Sequence, residues 1–305
     1  MKPLVIGIGE ILWDLLPSGP RMGGAPANFA CHARALGAES QVVSRVGNDE
    51  PGAGLLRNLV DLGLPVSGIT IDPTHPTGSV SVRILDDGQP AFAIEPDVAW
   101  DRLVSDHHLE NLFARVDAVC FGTLAQRSTA SAETIRGLVS QTRAGALRVF
   151  DVNLRQQHFN TATVTASLQL ANVLKLSDAE LPVVAEMLDI QGSVRACLAI
   201  LLERFGLRLI AFTRGAEGSI LFDGLEWCEH PGLAVEVRDT IGAGDSFTAA
   251  VTMGMLNQWP ISRISEAANE VAAHVCSHSG AVPRLPDSIL TRFQNGAARH
   301  AAATP

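Results

Sequence analysis

Residues 239–247, Asp-Thr-Ile-Gly-Ala-Gly-Asp-Ser-Phe, form the stretch that decides the fold. The β-type run 233–237 before it predicts a strand, and residues 245–256 after it predict a helix. A strand that turns through glycines into a helix leaves backbone N–H groups unpaired at the helix start, where they can bind an anion. Gly242 and Gly244 lack a Cβ atom, so a phosphate can approach the backbone closely. The stretch therefore predicts a phosphate-binding turn.

Asp245 lies at the point where that phosphate would bind. A carboxylate is poorly suited to bind phosphate, but it is well placed to accept the proton of a hydroxyl group that attacks it. The alternative interpretation is an ordinary strand-to-helix turn in which Asp245 caps the helix.

The composition excludes several classes of partner. The chain of 305 residues has a formal net charge of −9 and no block of basic residues, which argues against nucleic acids and anionic membranes. It is 47% hydrophobic and 18% charged, as in soluble globular proteins, and no apolar run reaches the ~20 residues that span a bilayer. Five scattered cysteines without a CxxC pair predict reduced, mostly buried thiols in a cytoplasmic protein.

Strand and helix patterns alternate along most of the chain. Apolar runs predict strands at residues 4–9, 41–46, 66–71, 118–121, 147–152, 173–176 and 207–212. Helices are predicted from the 23–28 stretch to residue 36 and at 53–62, 130–142, 161–170, 180–188, 194–205, 264–277 and 288–294, with a hairpin at 219–228 and a loose tail at 297–305. This alternation implies an α/β fold with a doubly wound, mainly parallel sheet.

Residues 77–95 interrupt the alternation. The run 79–84 alternates apolar and polar residues, Asp87-Gly88 is typical of a hairpin turn, and residues 91–94 form the returning strand. The apolar face of such a hairpin needs a substrate, another subunit or the main domain as its partner. We expect a single domain over residues 1–305 with a β-hairpin lid contributed mainly by 77–95.

Polar residues gather at the predicted strand ends, where open α/β sheets bind their ligands. Asp14 follows the first strand, and Asn28 on the first turn of the next helix can hydrogen-bond to a vicinal diol. Arg155 suits an anion, and Glu180 suits a hydrated Mg²⁺. Each is individually typical of a cap or a turn, but together with the glycine turn they favour a phosphate site.

The positions of the two lysines exclude the phosphate-binding loops that require a lysine. The chain has only Lys2 and Lys175, and neither follows a glycine, so a Walker A loop is absent. Leu12 stands where a dinucleotide fingerprint needs its third glycine, which argues against an NAD-linked dehydrogenase. His274 and His278 are spaced as a weak zinc pair without a third ligand nearby. Phosphoryl transfer would have to rely on backbone amides, a metal ion and arginine.

The sequence resembles the ribokinase-like (PfkB-type) carbohydrate kinases over nearly its whole length. The 239–247 stretch is similar to the C-terminal motif of that family, and Gly23-Gly24-Ala25-Pro26-Ala27-Asn28 is similar to its N-terminal sugar-binding motif. Together with residues 8–14, Ile-Gly-Glu-Ile-Leu-Trp-Asp, these motifs are most similar to bacterial fructokinases.

The resemblance implies a role for each matching residue. Asp245 is expected as the catalytic base, with Gly242, Ala243 and Gly244 as the anion hole. Asp14, Gly24 and Asn28 are expected to hold the sugar. Arg155 and Glu180 are expected near the phosphates and Mg²⁺, and Thr213, Gly215, Gly218 and Asn269 near the nucleotide. A monovalent cation (K⁺) is expected at Asp239, Ile241, Val275, His278, Gly280 and Arg284.

One departure from the family pattern concerns Ser177, which stands where the family's Asn-x-x-Glu motif has asparagine. We expect a cytoplasmic, Mg-ATP-dependent kinase that phosphorylates a primary hydroxyl group of a free sugar, D-fructose above all. The alternatives are another acceptor on the same fold (another ketose, 2-keto-3-deoxygluconate or a nucleoside) or a sugar-binding regulator without catalysis. Trp13, Arg83 and Phe92 leave the choice of acceptor open. By analogy with relatives, the lid hairpin is expected to serve as a homodimer surface, and the alternative is that it packs on its own domain.

Overall fold

A computed structural model describes residues 2–17, 19–84 and 90–301 of the chain. The strands are β1 Leu4–Ile8, β2 Leu12–Leu16, β3 Gly19–Gly23, β4 Glu39–Gly47, β5 Ile69–Asp72, β6 Gly78–Ile84, β7 Pro90–Ile94, β8 Ala118–Phe121, β9 Leu147–Asp151, β10 Val173–Ser177, β11 Leu209–Thr213, β12 Ser219–Phe222 and β13 Trp227–His230. The helices are α1 Ala25–Ala35, α2 Glu50–Asp61, α3 His107–Phe113, α4 Thr129–Ser140, α5 Thr161–Leu170, α6 Glu180–Met187, α7 Val194–Phe205, α8 Ala243–Leu256, α9 Ile261–Cys276 and α10 Asp287–Ala301.

The main sheet has nine strands in the order β13-β12-β11-β10-β9-β8-β1-β4-β5. From β11 to β5 every neighbouring pair is parallel, whereas β12 and β13 add an antiparallel edge. One hydrophobic core packs α3 to α7 on one face of the sheet, and a second packs α1 and α8 to α10 on the other. The predicted doubly wound α/β fold is therefore confirmed.

The prediction of a strand at 233–237 is wrong. These residues form no strand, and the sheet ends at β13. Leu233, Val235 and Val237 are 47%, 39% and 60% exposed, although their alternating apolar pattern is typical of a strand. They have no neighbouring strand to pair with, and a strand exists only through the hydrogen bonds of its neighbour.

A second, smaller sheet contains four strands in the order β3-β2-β6-β7. The β6–β7 hairpin agrees with the predicted one, but β2 and β3 come from residues 12–23, which the sequence analysis left as a loop around Asp14. β2 pairs in parallel with β6 and antiparallel with β3. The Asp87-Gly88 turn lies outside the described residues. Asp14 therefore lies within a strand of the small sheet and not in a loop after β1.

The element boundaries differ from the prediction in a few places. Helix α3 was not predicted, and α10 continues through residues 297–301 of the tail that was expected to be loose. Helix α2 begins three residues before its predicted start because Asp49 caps it. The Asp49 side chain accepts a hydrogen bond from the backbone N–H of Gly52. Among the described residues, no helix combines the length and the apolar character that a membrane crossing requires.

Candidate active site

A cleft of about 1400 Å³ lies along the carboxyl ends of the main-sheet strands and extends to the small sheet. From the small sheet, Leu12, Asp14 and Leu16 of β2 face the cleft together with Val80 and Ile94. The cleft also brings together most of the other predicted site residues, which lie far apart in the sequence. They are Gly24, Asn28, Arg155, Glu180, Thr213, Gly215, Gly218, Ile241, Gly242, Ala243, Gly244, Asp245 and Asn269.

The glycine turn forms the start of helix α8. Gly242 is the N-cap residue, and its φ of 79° lies in the left-handed region that favours glycine. A Cβ atom at this position would also collide with the carbonyl oxygen of Ala281. The first-turn N–H groups have no partner within the helix, so the turn presents donors and the positive end of the helix dipole to the cleft.

Asp245 is the third residue of α8 and does not cap it, so the plain capping interpretation is wrong. Asn28 of helix α1 donates a hydrogen bond from Nδ2 to Oδ2 of Asp245, at 2.8 Å. Burial raises the pKa of Asp245, while the hydrogen bond from Asn28 and the charges of Lys175 and Arg155 lower it in part. Oδ1 of Asn28 is buried without a hydrogen-bond partner among the described residues, so it is available to accept a hydroxyl group.

Two more carboxyl groups line the cleft near α1. Glu10 is 3% exposed, and burial raises its pKa to about 7 even though backbone N–H groups and Arg155 lower it. Burial also raises the pKa of Asp14, which Arg155 partly offsets. The strongest of these effects is removal from water, which disfavours a charged carboxylate. This part of the cleft therefore offers carboxyl groups that hold their protons more tightly than exposed ones.

Glu180 is held rigidly at the other side of the cleft. Its Oε1 accepts the backbone N–H of Leu154 at 2.9 Å. Its Oε2 accepts the N–H and the hydroxyl group of Ser177, at 2.7 and 2.8 Å. The serine that stands in place of the family's asparagine therefore anchors the Glu180 carboxylate. Nearby, Asn153 lines the cleft with a φ of 43°, in the left-handed region that asparagine adopts more readily than most residues with a side chain.

A buried ion pair lies beneath the glycine turn. Nζ of Lys175 on β10 is 3.0 Å from Oδ1 of Asp151, and the hydroxyl group of Thr248 donates to Oδ2 at 2.8 Å. Lys175 and Asp151 are 7% and 4% exposed, and Lys175 lines the cleft. A Cβ atom added to Gly244 would lie 3.2 Å from Nζ. The ammonium group is therefore directly against the backbone of the turn.

The predicted nucleotide residues share one end of the cleft. Thr213 ends β11, and the short turn that follows carries Gly215 and Gly218. Asn269 of α9 is anchored, because its Nδ2 donates to the hydroxyl group of Ser219 and to the carbonyl oxygen of Ser265. The 233–237 segment lines this end with apolar side chains.

Of the predicted cation residues, only Ile241 lines the cleft, while the others lie behind the turn. Asp239 accepts the N–H groups of Ile241 and Gly280, both at 3.0 Å. The backbone carbonyl oxygens of Val275 and Arg284 accept hydrogen bonds from His278 N–H and from Nε2 of His274. The His274 and His278 rings are tilted by 35° with centroids 4.1 Å apart and bind backbone carbonyls, and the described residues contain no cluster suited to zinc.

His32 supports this loop from helix α1. It is fully buried, and its Nε2 lies 2.9 Å from the carbonyl oxygen of Ala281, the residue against which Gly242 packs. Burial lowers the pKa of His32 to about 4, so the neutral ring donates from Nε2. Asn28 and His32 are four residues apart and share one helix face. That face contacts both Asp245 and the loop behind the turn.

The sequence analysis missed Glu10, His32 and Lys175 as residues of this region. Glu10 interrupts an apolar run, and a carboxylate between buried strand residues is a signal that could have identified it. Lys175 is one of only two lysines and lies in a strand, where a charge is unusual. His32 offers no comparable signal, because its only distinction is the loop that tertiary packing brings against it.

Comparison with known proteins identifies the class. Residues 20–288 match the model of the pfkB family carbohydrate kinases. A putative sugar kinase from Pyrococcus horikoshii is 30% identical over 91% of both chains, and its ATP complex superposes with a TM-score of 0.80 over 96% of this chain and 99% of that one. A fructokinase from Escherichia coli is 27% identical over 94% of this chain and 97% of its own.

A further solved structure, a double mutant of fructokinase from Vibrio cholerae with fructose, ADP and potassium ion bound, is 26% identical. It superposes with a TM-score of 0.79 over 96% of this chain and 98% of its own. The chain belongs to the PfkB family of carbohydrate kinases. It is a carbohydrate kinase of this family.

Proposed function

We propose that this kinase transfers the terminal phosphoryl group of Mg-ATP to a primary hydroxyl group of a free sugar, D-fructose, giving fructose 6-phosphate. The observation that carries the proposal is the 2.8 Å hydrogen bond from Asn28 to Asp245. It joins the helix that would hold the sugar to the residue that would deprotonate it, directly at the start of α8. A phosphate bound by the turn and a hydroxyl group bound by Asn28 would both lie next to Asp245.

In this mechanism Asp245 accepts the proton of the attacking hydroxyl group. Burial raises the pKa of Asp245, which makes its carboxylate a stronger base than an exposed aspartate, while the hydrogen bond from Asn28 and the charges of Lys175 and Arg155 oppose that rise. The amides of Gly242, Ala243 and Gly244 stabilise the negative charge on the transferring group. Asp14, Gly24 and Asn28 orient the sugar, and Arg155 contacts the phosphates.

The residues fit Mg²⁺ and a monovalent cation. Glu180 presents a carboxylate fixed by three hydrogen bonds, and hydrated Mg²⁺ binds to one or two carboxylates of this kind. Bound with ATP, Mg²⁺ supplies positive charge to the phosphates. Behind the turn, the Asp239 carboxylate and the carbonyl oxygens of Ile241, Val275, His278, Gly280 and Arg284 would hold K⁺, which takes oxygen donors of this kind.

The cleft supports a neutral sugar over the other acceptors. An acidic sugar would need an arginine beside it, and Arg155, the single arginine among the described residues that line the cleft, is engaged with the phosphates in this mechanism. A nucleoside would need aromatic stacking, but the Trp13 ring lies against Gly54 and donates from Nε1 to the carbonyl oxygen of Pro51. The side chains of Arg83 and Phe92 lie outside the described part of the structure.

We propose that the small sheet acts as the lid of a single domain. Leu12, Asp14 and Leu16 of β2 face the cleft, so closure would exclude the water that competes with the sugar as phosphoryl acceptor. Leu15 points to the other face and is 45% exposed, and we propose that a second copy of this chain covers it. The free thiols of all five cysteines support a cytoplasmic location.

The test is an ADP-release assay with Mg-ATP, K⁺ and five acceptors: fructose, ribose, glucose, 2-keto-3-deoxygluconate and adenosine. Turnover with fructose alone is expected. Turnover with another acceptor would overturn the sugar assignment and leave the roles of Asp245 and the turn intact. Sugar binding by calorimetry without any ATP turnover would support a non-catalytic regulator instead, with Ser177 as the first residue to restore to asparagine.

A further inference from the structure

Lys175 is an unusual choice of residue for its position. Of the 23 basic residues of the chain, only Lys2 and Lys175 are lysines. Lys2 is exposed near the N-terminus, whereas Lys175 is buried in β10 in the middle of the main sheet. Arginine supplies almost every other cation. A lysine differs from arginine in being a compact point charge with three donors, which suits an approach to a tetrahedral anion from one side.

The geometry directs the ammonium group toward the cleft. Lys175 lines the cleft, but Asp151, which lies beneath it, does not. Asp151 accepts from Nζ of Lys175 and from the hydroxyl group of Thr248, which fixes its carboxylate from two sides. Asp151 is the single hydrogen-bond partner of Nζ among the described residues, so two of its three N–H donors are available beneath Gly244.

The charges around Lys175 keep it protonated. Burial lowers the pKa of Lys175, but Asp151, Glu180 and Asp245 raise it by more, so the net pKa is above its ordinary value. Burial raises the pKa of Asp151 to about 6, where Lys175 limits the rise, so Asp151 is ionised at neutral pH. The region beneath the turn thus holds one fixed positive charge among three carboxylates.

A purely structural ion pair does not explain this arrangement. A buried pair contributes little net stability, because desolvation of both charges offsets their attraction. A pair that served packing alone would also have no reason to face the cleft or to touch the backbone of the turn. Both features are expected if the ammonium group meets an anion bound there.

We propose that Lys175 is a catalytic residue whose ammonium group contacts the terminal phosphoryl group of ATP from beneath the glycine turn. The proposal rests on the proposed function. The bond from the γ-phosphorus to the β,γ-bridging oxygen breaks, the bond to the sugar oxygen forms, and the hydroxyl proton goes to Asp245. Lys175 keeps its own protons throughout and stabilises the charge of the transferring group, while Asp151 is the positioning residue that fixes the ammonium group.

Calorimetry with two nucleotides tests the contact without turnover. The probes are ADP and the non-hydrolysable β,γ-imido-ATP, each with Mg²⁺ and without sugar. Lys175→Met is expected to lower the affinity for imido-ATP by tenfold or more, as the loss of a charged hydrogen bond would. It is expected to change the affinity for ADP by less than threefold. Because the single variant leaves Asp151 unpaired, the double variant with Asp151→Asn removes both charges and is measured beside it.

Thr248→Val is the matched control. It removes the hydroxyl group that contacts Asp151 and the carbonyl oxygen of Gly244 but keeps the cation, so the ratio of the two affinities is expected to stay within threefold of the unmodified protein. Equal losses for both nucleotides in the lysine variants, or no loss for imido-ATP, would overturn the proposal. If the unmodified protein binds imido-ATP but phosphorylates none of the five acceptors, the proposed function fails while the Lys175 contact is still measured.

Discussion

Two regions of the molecule bury carboxylates in opposite ways. In the cleft, burial raises the pKa of Glu10, Asp14 and Asp245 above their ordinary values. At the small-sheet junction, which comprises residues 72–77 and 95–101, burial acts on Asp72 as well. There the hydrogen bonds from Thr74 and His75 outweigh the effect of burial, and the pKa of Asp72 falls well below its ordinary range.

The difference lies in the number of hydrogen-bond donors. Asp72 accepts from the backbone N–H groups of Thr74 and His75 and from both their side chains, and Arg45 lies 3.2 Å away. Asp245 has one side-chain donor, Asn28. Fully bonded carboxylates stabilise the connection between the sheets, whereas a sparsely bonded one retains lone pairs for a ligand. Burial alone therefore does not distinguish a structural carboxylate from a reactive one.

The largest expected effect is on Asp245. Asp245→Asn keeps the shape and removes the base, so kcat is expected to fall by at least ~10²-fold, the lower range for general-base catalysis. Because the buried carboxylate is not fully bonded, the melting temperature is expected to be unchanged or higher. Steady-state kinetics and calorimetric unfolding on one sample would check both, and a near-normal kcat would remove Asp245 from the mechanism.

Asp72→Asn is expected to show the reverse pattern. The loss of charged hydrogen bonds should lower the free energy of unfolding by about 2–3 kcal/mol at pH 7, with kcat per folded molecule within twofold. The folded pKa lies below the unfolded one, so the stabilisation is present above pH ~4 and disappears as the pH falls further. Urea unfolding at pH 7 and in acid measures this difference. An equal loss at both pH values would contradict the charge-based explanation.

Glu10→Gln is expected to stabilise the protein at high pH. The pKa of Glu10 is raised to about 7 from its ordinary value of 4.5 by burial, so folding binds a proton more tightly. Ionising the buried Glu10 destabilises the folded protein. This destabilisation is absent below pH 4.5, grows between pH 4.5 and 7, and is constant above pH 7. The variant should therefore gain about 3 kcal/mol relative to the original between pH 4.5 and 8. If the difference in free energy of unfolding between Glu10→Gln and the original protein did not change with pH, the ionisation of a buried Glu10 would not explain it.

The smallest expected effect is on the pH profile of kcat. Catalysis requires ionised Asp245, so kcat should rise with pH through the pKa of this group and then level off. Asn28→Ala removes the hydrogen bond that lowers this pKa, so the acidic limb should move to higher pH. Rates at saturating sugar from pH 4 to 9 measure the shift. A limb that stays in place in Asn28→Ala would mean that another group controls it.

The sequence predicted the main sheet well because its signals are local. Buried parallel strands are continuous apolar runs, and the strands at 118–121 and 147–152 were predicted within one residue. The small sheet was only half predicted. Residues 12–16 and 19–23 carry no clear alternation, and β2 becomes a strand because β6, more than sixty residues away, pairs with it.

The sequence by itself determined the doubly wound fold, the glycine turn and Asp245, because the turn's conformation and the strand–helix order depend on neighbouring residues. Only the tertiary structure decided that Asn28 bonds to Asp245, that Lys175 lies beneath Gly244 and that His32 contacts Ala281. These contacts join residues up to 249 positions apart. Their geometry depends on how the helices and strands pack around the cleft, which no local pattern encodes.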